Sequence, residues 1–180
     1  MGDRPASIYR EQPSQPYTRQ SQKKSDNFIK GAPAPRITQY QQGAKEKGLD
    51  EEFDTKVKMV AEEDVSIRSE ALEAGRVAIN SYMSKELDPE EEYYFEILPY
   101  PHHVLRYHPL AGIAQADRYY EGMRKPFGRP IGRAAIIDEG QMIYEVNIDE
   151  GDVQHARKAL ERANHKMPVP CRVKLVQDME

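Results

Sequence analysis

The order of patterns along these 180 residues predicts an α+β domain, a mainly antiparallel sheet with two helices packed on it, preceded by an extended basic N-terminal arm. Three observations carry this expectation. Two stretches repeat apolar residues close to every 3.6 positions, as a helix with one buried face requires. Several shorter runs alternate, or concentrate aromatic and β-branched residues, as strands do. The first 47 residues are polar, proline-punctuated and free of sustained apolar periodicity. The domain boundaries expected are therefore 1–47 for the arm and 48–180 for a single folded body, with a mobile loop at 107–117.

In the arm, Pro5, Pro13, Pro16, Pro33 and Pro35 alternate with Ser, Gln, Lys and Arg. Such a segment buries too little apolar surface to offset the entropy of ordering it alone. Tyr9, Tyr17, Phe28 and Tyr40 sit among Arg10, Arg19, Lys30 and Arg36. Rings interleaved with cations neutralise phosphates and stack on unpaired bases, which favours an arm that orders on RNA.

The body begins with an alternating strand from Phe53 to Val60. Residues 66–86 form the first helix, with Leu72, Ile79 and Met83 on one face, Ser66 or Ser69 as N-cap, and Glu70 and Glu73 in the first turn. Asp88-Pro89 ends it, and Glu90-Glu91-Glu92 is a solvated turn. Tyr93 to Leu98 is an aromatic-rich strand, and His102 to Arg106 a shorter one. Ile131–Ile137 and Met142–Ile148 read as a hairpin turned by Asp138-Glu139-Gly140-Gln141. The second helix runs from about Gly151 to Lys166, with Val153, Ala156, Leu160, Ala163 and Met167 in one apolar stripe and Asp149 or Asp152 as cap. Pro168 and Pro170 stop it, and Arg172 to Val176 is the last strand.

The net charge of −4 argues at first against a nucleic-acid partner, but the charge is segregated. Residues 1–47 carry nine Lys/Arg against four Asp/Glu, and residues 99–137 carry six against two. Residues 48–98 carry five against fifteen, so the acid is concentrated in one segment. The densest basic stretch is Gly122-Met123-Arg124-Lys125-Pro126-Phe127-Gly128-Arg129-Pro130-Ile131-Gly132-Arg133, with Arg118 just upstream. Its prolines exclude a helix, its glycines leave amides accessible, and guanidinium forks grip phosphate oxygens with two donors at once. The competing reading is a solvated surface loop that happens to be basic.

Other chemistries find little support. His102, His103, His108 and Asp117 are the best metal candidates, but adjacent histidines on a strand point to opposite faces, and no zinc-ligand spacing is present. No phosphate-binding glycine-rich lysine motif exists. Cys171, the single cysteine, lacks a paired base and reads as a small buried residue. One thiol cannot form an internal disulfide, which fits a reducing cytoplasm. The polar N-terminus predicts no secretory leader, and no apolar run is long enough for a membrane span. No enzyme activity, cofactor or metal is expected.

Tyr93 through Arg106, with Pro99-Tyr100-Pro101-His102-His103-Val104-Leu105-Arg106, then Ala116-Asp117-Arg118 and the Gly122–Gly132 block, closely resemble the archaeal and eukaryotic large-subunit ribosomal protein family called ten-e, the counterpart of bacterial large-subunit protein sixteen. Ser69-Glu70-Ala71-Leu72-Glu73-Ala74-Gly75-Arg76, Ala159-Leu160-Glu161-Arg162-Ala163 and Lys166-Met167-Pro168-Val169-Pro170-Cys171-Arg172 extend the resemblance over nearly the whole chain. It implies an α/β-hammerhead type of fold and a structural place in the large ribosomal subunit, near the aminoacyl-tRNA site. The implied partners are large-subunit rRNA, tRNA and neighbouring large-subunit proteins, and the implied location is the cytoplasmic ribosome.

On that resemblance the expected rRNA contacts are Arg4, Arg10, Arg19, Lys23, Lys24, Lys30 and Arg36 in the arm. In the body they are His102, Arg106, Arg118, Arg124, Lys125, Arg129, Arg133 and Lys166. Tyr107, His108, Gly112 and Gln115 belong to the loop that reaches toward tRNA in the family, although Tyr107–Gln115 departs from the family's usual sequence there, and Ser21–Asp26 resembles an insertion. The alternative is a free-standing RNA-binding or ribosome-assembly factor, a paralogue on the same fold.

Overall fold

The computed structural model describes residues 17–18, 23, 25, 29, 31–50, 52–107 and 128–177. In chain order these contain β1 (Gln41–Gly43), α1 (Lys45–Leu49), β2 (Thr55–Ala61), β3 (Val65–Arg68), α2 (Ser69–Glu86), β4 (Tyr93–Ile97), β5 (His103–Tyr107), β6 (Arg129–Ile137), β7 (Met142–Ile148), a 3-10 turn (Glu150–Asp152), α3 (Val153–Asn164) and β8 (Cys171–Gln177). The strands form two antiparallel sheets, one ordered β1-β4-β7-β2-β8 and the other β3-β6-β5. The α+β class is as the patterns predict.

One core joins the layers. The alternating inward residues of the larger sheet (Val57 and Met59, Tyr93 and Phe95, Val146 and Ile148) meet Leu72, Ile79 and Met83 of α2 and Ala156, Leu160 and Ala163 of α3. Val65, Ile67, Ala135 and Ile137 bring the smaller sheet into the same cluster. The period-3.6 stripes read from the sequence are thus the buried faces of both long helices. Gly75 has a specific task inside α2: a Cβ there would collide with the hydroxyl of Tyr144, which donates to the Leu72 carbonyl at 2.8 Å. On the opposite face of the larger sheet, α1 covers Tyr94, which packs with Ala44 and Phe53.

Several expectations are corrected. Residues 66–68, expected as the start of the first helix, belong to strand β3, paired Val65 with Ile137 and Ile67 with Ala135. The β-branched Val65 and Ile67 fit a pleat, and Ser69, the first helical residue, is preceded by Arg68 without any side-chain cap. The two expected caps of α3 make no cap hydrogen bond either. A third helix, α1, adds five residues to the two expected.

The expected hairpin does not form: β6 pairs with β3 and β5, and β7 with β2 and β4, so the Asp138–Gln141 turn carries the chain from one sheet to the other. Gly140, at φ +84, donates to the Ala61 carbonyl, and Ala61 donates to that of Gln141, which pins this crossing to the end of β2. Each run finds two long partners elsewhere, which outweighs the local convenience of a hairpin.

Arg129 and Pro130, ahead of the expected Ile131–Ile137 strand, are already part of β6. Pro130 is tolerated because the β5–β6 register slips there, from Leu105 opposite Gly132 to Arg106 opposite Pro130, leaving Ile131 as the extra residue of a bulge.

Within the segment expected as arm, β1 pairs with β4, and the described residues just before it bond to the body. Thr38 donates twice to Glu73, through its amide at 3.2 Å and its hydroxyl at 3.0 Å, and Tyr40 accepts the Ile97 amide at 2.8 Å.

Candidate nucleic-acid interface

The smaller sheet and the chain beside it carry Arg36, Arg68, Arg106, Arg129 and Arg133. β5 leaves the sheet at Tyr107 and β6 enters it opposite, at Arg129, so the two ends of the basic 108–128 stretch are held side by side. Arg129 is exposed there. Arg106, one position earlier, holds its guanidinium 3.6 Å over the ring centre of Tyr17, within reach of cation–π attraction. Tyr17 is itself laid on β5: its amide donates to His103 Nδ1 at 3.0 Å and its carbonyl accepts the Val104 amide at 3.2 Å. An accepting Nδ1 requires a neutral ring protonated at Nε2. Burial, and then the charge of Arg106, hold His103 below its usual pKa, in agreement with that tautomer.

Arg133 is half-buried, and its Nε donates to the Pro33 carbonyl at 2.6 Å. Part of its donor fork therefore anchors the arm. Arg36 is 78% exposed, and its Nε lies 3.9 Å from Glu70 Oε1, a distance and setting that contribute little. Arg68, absent from the sequence-based set, places its Nε 3.4 Å from the other oxygen of Glu70. Its place opposite Ala134 on β3 is a product of pairing that no local pattern signals. Arg76 makes a two-pronged contact with Glu73, Nε to Oε2 at 2.8 Å and Nη2 to Oε1 at 2.6 Å, which is the largest influence holding that carboxyl below its usual range. Glu70 and Glu73 thus neutralise cations as well as complementing the helix dipole.

His102 is exposed and lies against Tyr100, with ring centres 4.6 Å apart. Lys166 is also exposed, but it follows α3, which packs on α2 and the larger sheet rather than on β5 or β6. Lys23 is exposed. Arg4, Arg10, Arg19, Lys24, Lys30, Arg118, Arg124 and Lys125 lie outside the described residues, as do His108, Gly112 and Gln115 of the expected tRNA-proximal loop. Tyr107 closes β5.

Among the described residues no three potential metal ligands cluster, and no described helix is long and apolar enough to cross a membrane. Cys171 donates to the Val169 carbonyl at 3.4 Å, and burial pushes its thiol up to about 11, so it is inert at neutral pH.

Comparison with known proteins gives the class first: the relatives of this chain are ribosomal proteins, not enzymes. The family profile described as ribosomal protein L16p/L10e matches residues 13–174, and the chain belongs to that family. Among its relatives, the large ribosomal subunit protein uL16 of Staphylothermus marinus is 38% identical over 170 residues, 94% of this chain and 91% of that protein. The uL16 of Pyrobaculum calidifontis is 39% identical over 173 residues, 96% and 93% of the two chains. That of Haloarcula marismortui is 34% identical over 180 residues, 100% and 98% of the two chains.

Proposed function

We propose that this chain is a structural constituent of the large ribosomal subunit, binding rRNA through its smaller sheet and arm near the aminoacyl-tRNA site and helping to position tRNA. The observation that carries the reading is the pairing of Tyr107 with Arg129. It makes a rigid two-stranded base for the basic segment that holds Arg118, Arg124 and Lys125. Both ends of the segment start from one sheet edge, and cations brought to one place neutralise neighbouring phosphates. Arg106 and Arg129 contribute at the base of that segment. Neighbouring large-subunit proteins are partners on the same reading.

Two measurements test it. Arg124→Ala with Arg129→Ala should lower the slope of log affinity for large-subunit rRNA against log salt by about one for each phosphate that the variant no longer neutralises. An unchanged slope removes these residues from the interface. In a fractionated lysate the protein should travel with the large subunit at low and high salt. Recovery in the soluble fraction instead favours the free-standing RNA-binding or assembly factor.

A further inference from the structure

Three aromatic rings stand in succession at the junction of β1, β4 and β5. Tyr40 stacks on Tyr100 with ring centres 5.6 Å apart and planes 21° from parallel, and His102 leans on Tyr100 at 4.6 Å with its plane tilted by 54°. The inner end of this column is fixed. Tyr40 accepts the Ile97 amide through its carbonyl, and its hydroxyl is buried without a hydrogen-bond partner among the described residues. Burial, reinforced by Tyr100 and opposed by the nearby Arg133, pushes that hydroxyl up to about 12, so the ring stays neutral. The outer end is open: Tyr100 is 43% exposed and His102 is exposed as well.

Tyr100 is not exposed through looseness. Pro99 and Pro101 on either side of it are both buried, so the backbone that carries the ring is packed and restricted at two φ angles. A large ring held rigid and half in water is costly for a free protein and useful to one that stacks a ligand on it. The surroundings select the ligand. Arg133 lies close enough to bias Tyr40, Arg36 precedes it on the same segment, and Arg106 follows on β5. Residues 99–137 carry six Lys/Arg against two Asp/Glu. Aromatic faces in a basic part of the chain suit a base and its adjoining phosphates.

We propose that Tyr100 and His102 form a preorganised stacking platform for one unpaired base of structured RNA, with the half-buried Tyr40 as its support. This rests on the rRNA-binding reading above and adds to it a site that recognises a base face rather than a phosphate. Stacking accepts any base, so the platform selects for an unpaired nucleotide and not for its sequence.

The chain contains no tryptophan, so Tyr100→Trp places a single indole on the platform while keeping a stacking surface. In the full-length protein its fluorescence should be quenched on titration with large-subunit rRNA and left unchanged by heparin, a polyanion without bases. Tyr100→Ala with His102→Ala should weaken rRNA binding about tenfold or more without altering the salt slope, and Tyr100→Phe should bind as wild type. An unquenched indole on a protein that still binds rRNA overturns the platform alone, as does a double variant of unchanged affinity or equal quenching by heparin. Quenching in assembled subunits that survives nuclease digestion assigns the rings to a neighbouring protein and also overturns it. Failure of the wild-type chain to bind rRNA overturns both this inference and the reading beneath it.

Discussion

Arg133, a hundred residues downstream of Pro33, donates its Nε–H to the Pro33 carbonyl across 2.6 Å. A side chain that local sequence offers to RNA is in this way also the anchor of the chain leading into β1. Removing it releases a carbonyl and a segment together. Arg133→Ala should therefore raise amide exchange and protease sensitivity around residues 33–38 and lower stability by about 1.5–3 kcal/mol, the range for a hydrogen bond to a charged group. Lys, which lacks the planar fork, should restore little of this. Unaltered protection over residues 33–38 would show the Arg133–Pro33 bond to be dispensable.

Glu73 is the second anchor, receiving both donors of Thr38 as well as the fork of Arg76. The Arg76 fork and the Thr38 bonds hold its carboxyl below the ordinary value, against the opposing effect of burial. A carboxyl depressed on folding contributes stability that is complete above its unfolded pKa and is lost as pH falls through the folded one. Acid titration should therefore detach residues 36–40 at a pH below the ordinary glutamate range. Glu73→Gln should flatten that part of the stability–pH curve, and an identical curve in the variant would exclude Glu73 as its source.

His103 gives the opposite end of the arm its own pH dependence. Its ring must be neutral to accept the Tyr17 amide, and burial and Arg106 lower its pKa. For a histidine depressed on folding, the unfolded chain binds the proton first, so stability falls as pH drops below the ordinary histidine value and through the lowered one. Docking of Tyr17 should be complete at pH 7.5 and above (about one unit over the reference histidine pKa), weakening toward acid. The Tyr17 and Val104 amide resonances should show this change, and His103→Gln should abolish the titration. Titration persisting in that variant would point to another group.

Gly75→Ala weighs two effects against each other. Alanine favours a helix interior by about 1 kcal/mol, but the new methyl meets the Tyr144 hydroxyl and the Met167 methyl, the latter at 2.9 Å. Tyr144 is fully buried and held by Leu72, so it cannot swing aside without surrendering its hydrogen bond. The clash should win, with a net destabilisation of about 1–3 kcal/mol in denaturant unfolding. Gly75→Ala combined with Tyr144→Phe should recover part of it. A stabilised single variant would mean that the core yields more readily than its packing implies.

The separation between sequence and structure falls along physical lines. The stripes of α2 and α3, the strands at residues 93–97 and 142–148, and the concentration of cation between residues 99 and 137 follow from neighbours in the chain, and the sequence alone settles them. Sheet membership does not follow from neighbours. That β6 and β7, four residues apart, belong to different sheets depends on the partners β3, β5, β2 and β4, each free to compete only once the chain has collapsed. The same holds for charge. Nothing local distinguishes Arg129, exposed at the sheet end, from Arg133, bound to Pro33, or shows that Arg36 and Arg68 share Glu70. A side chain's type is written in the sequence; whether its donors face solvent or the protein's own carbonyls is settled by distances between residues far apart in the chain, and only the folded structure sets those.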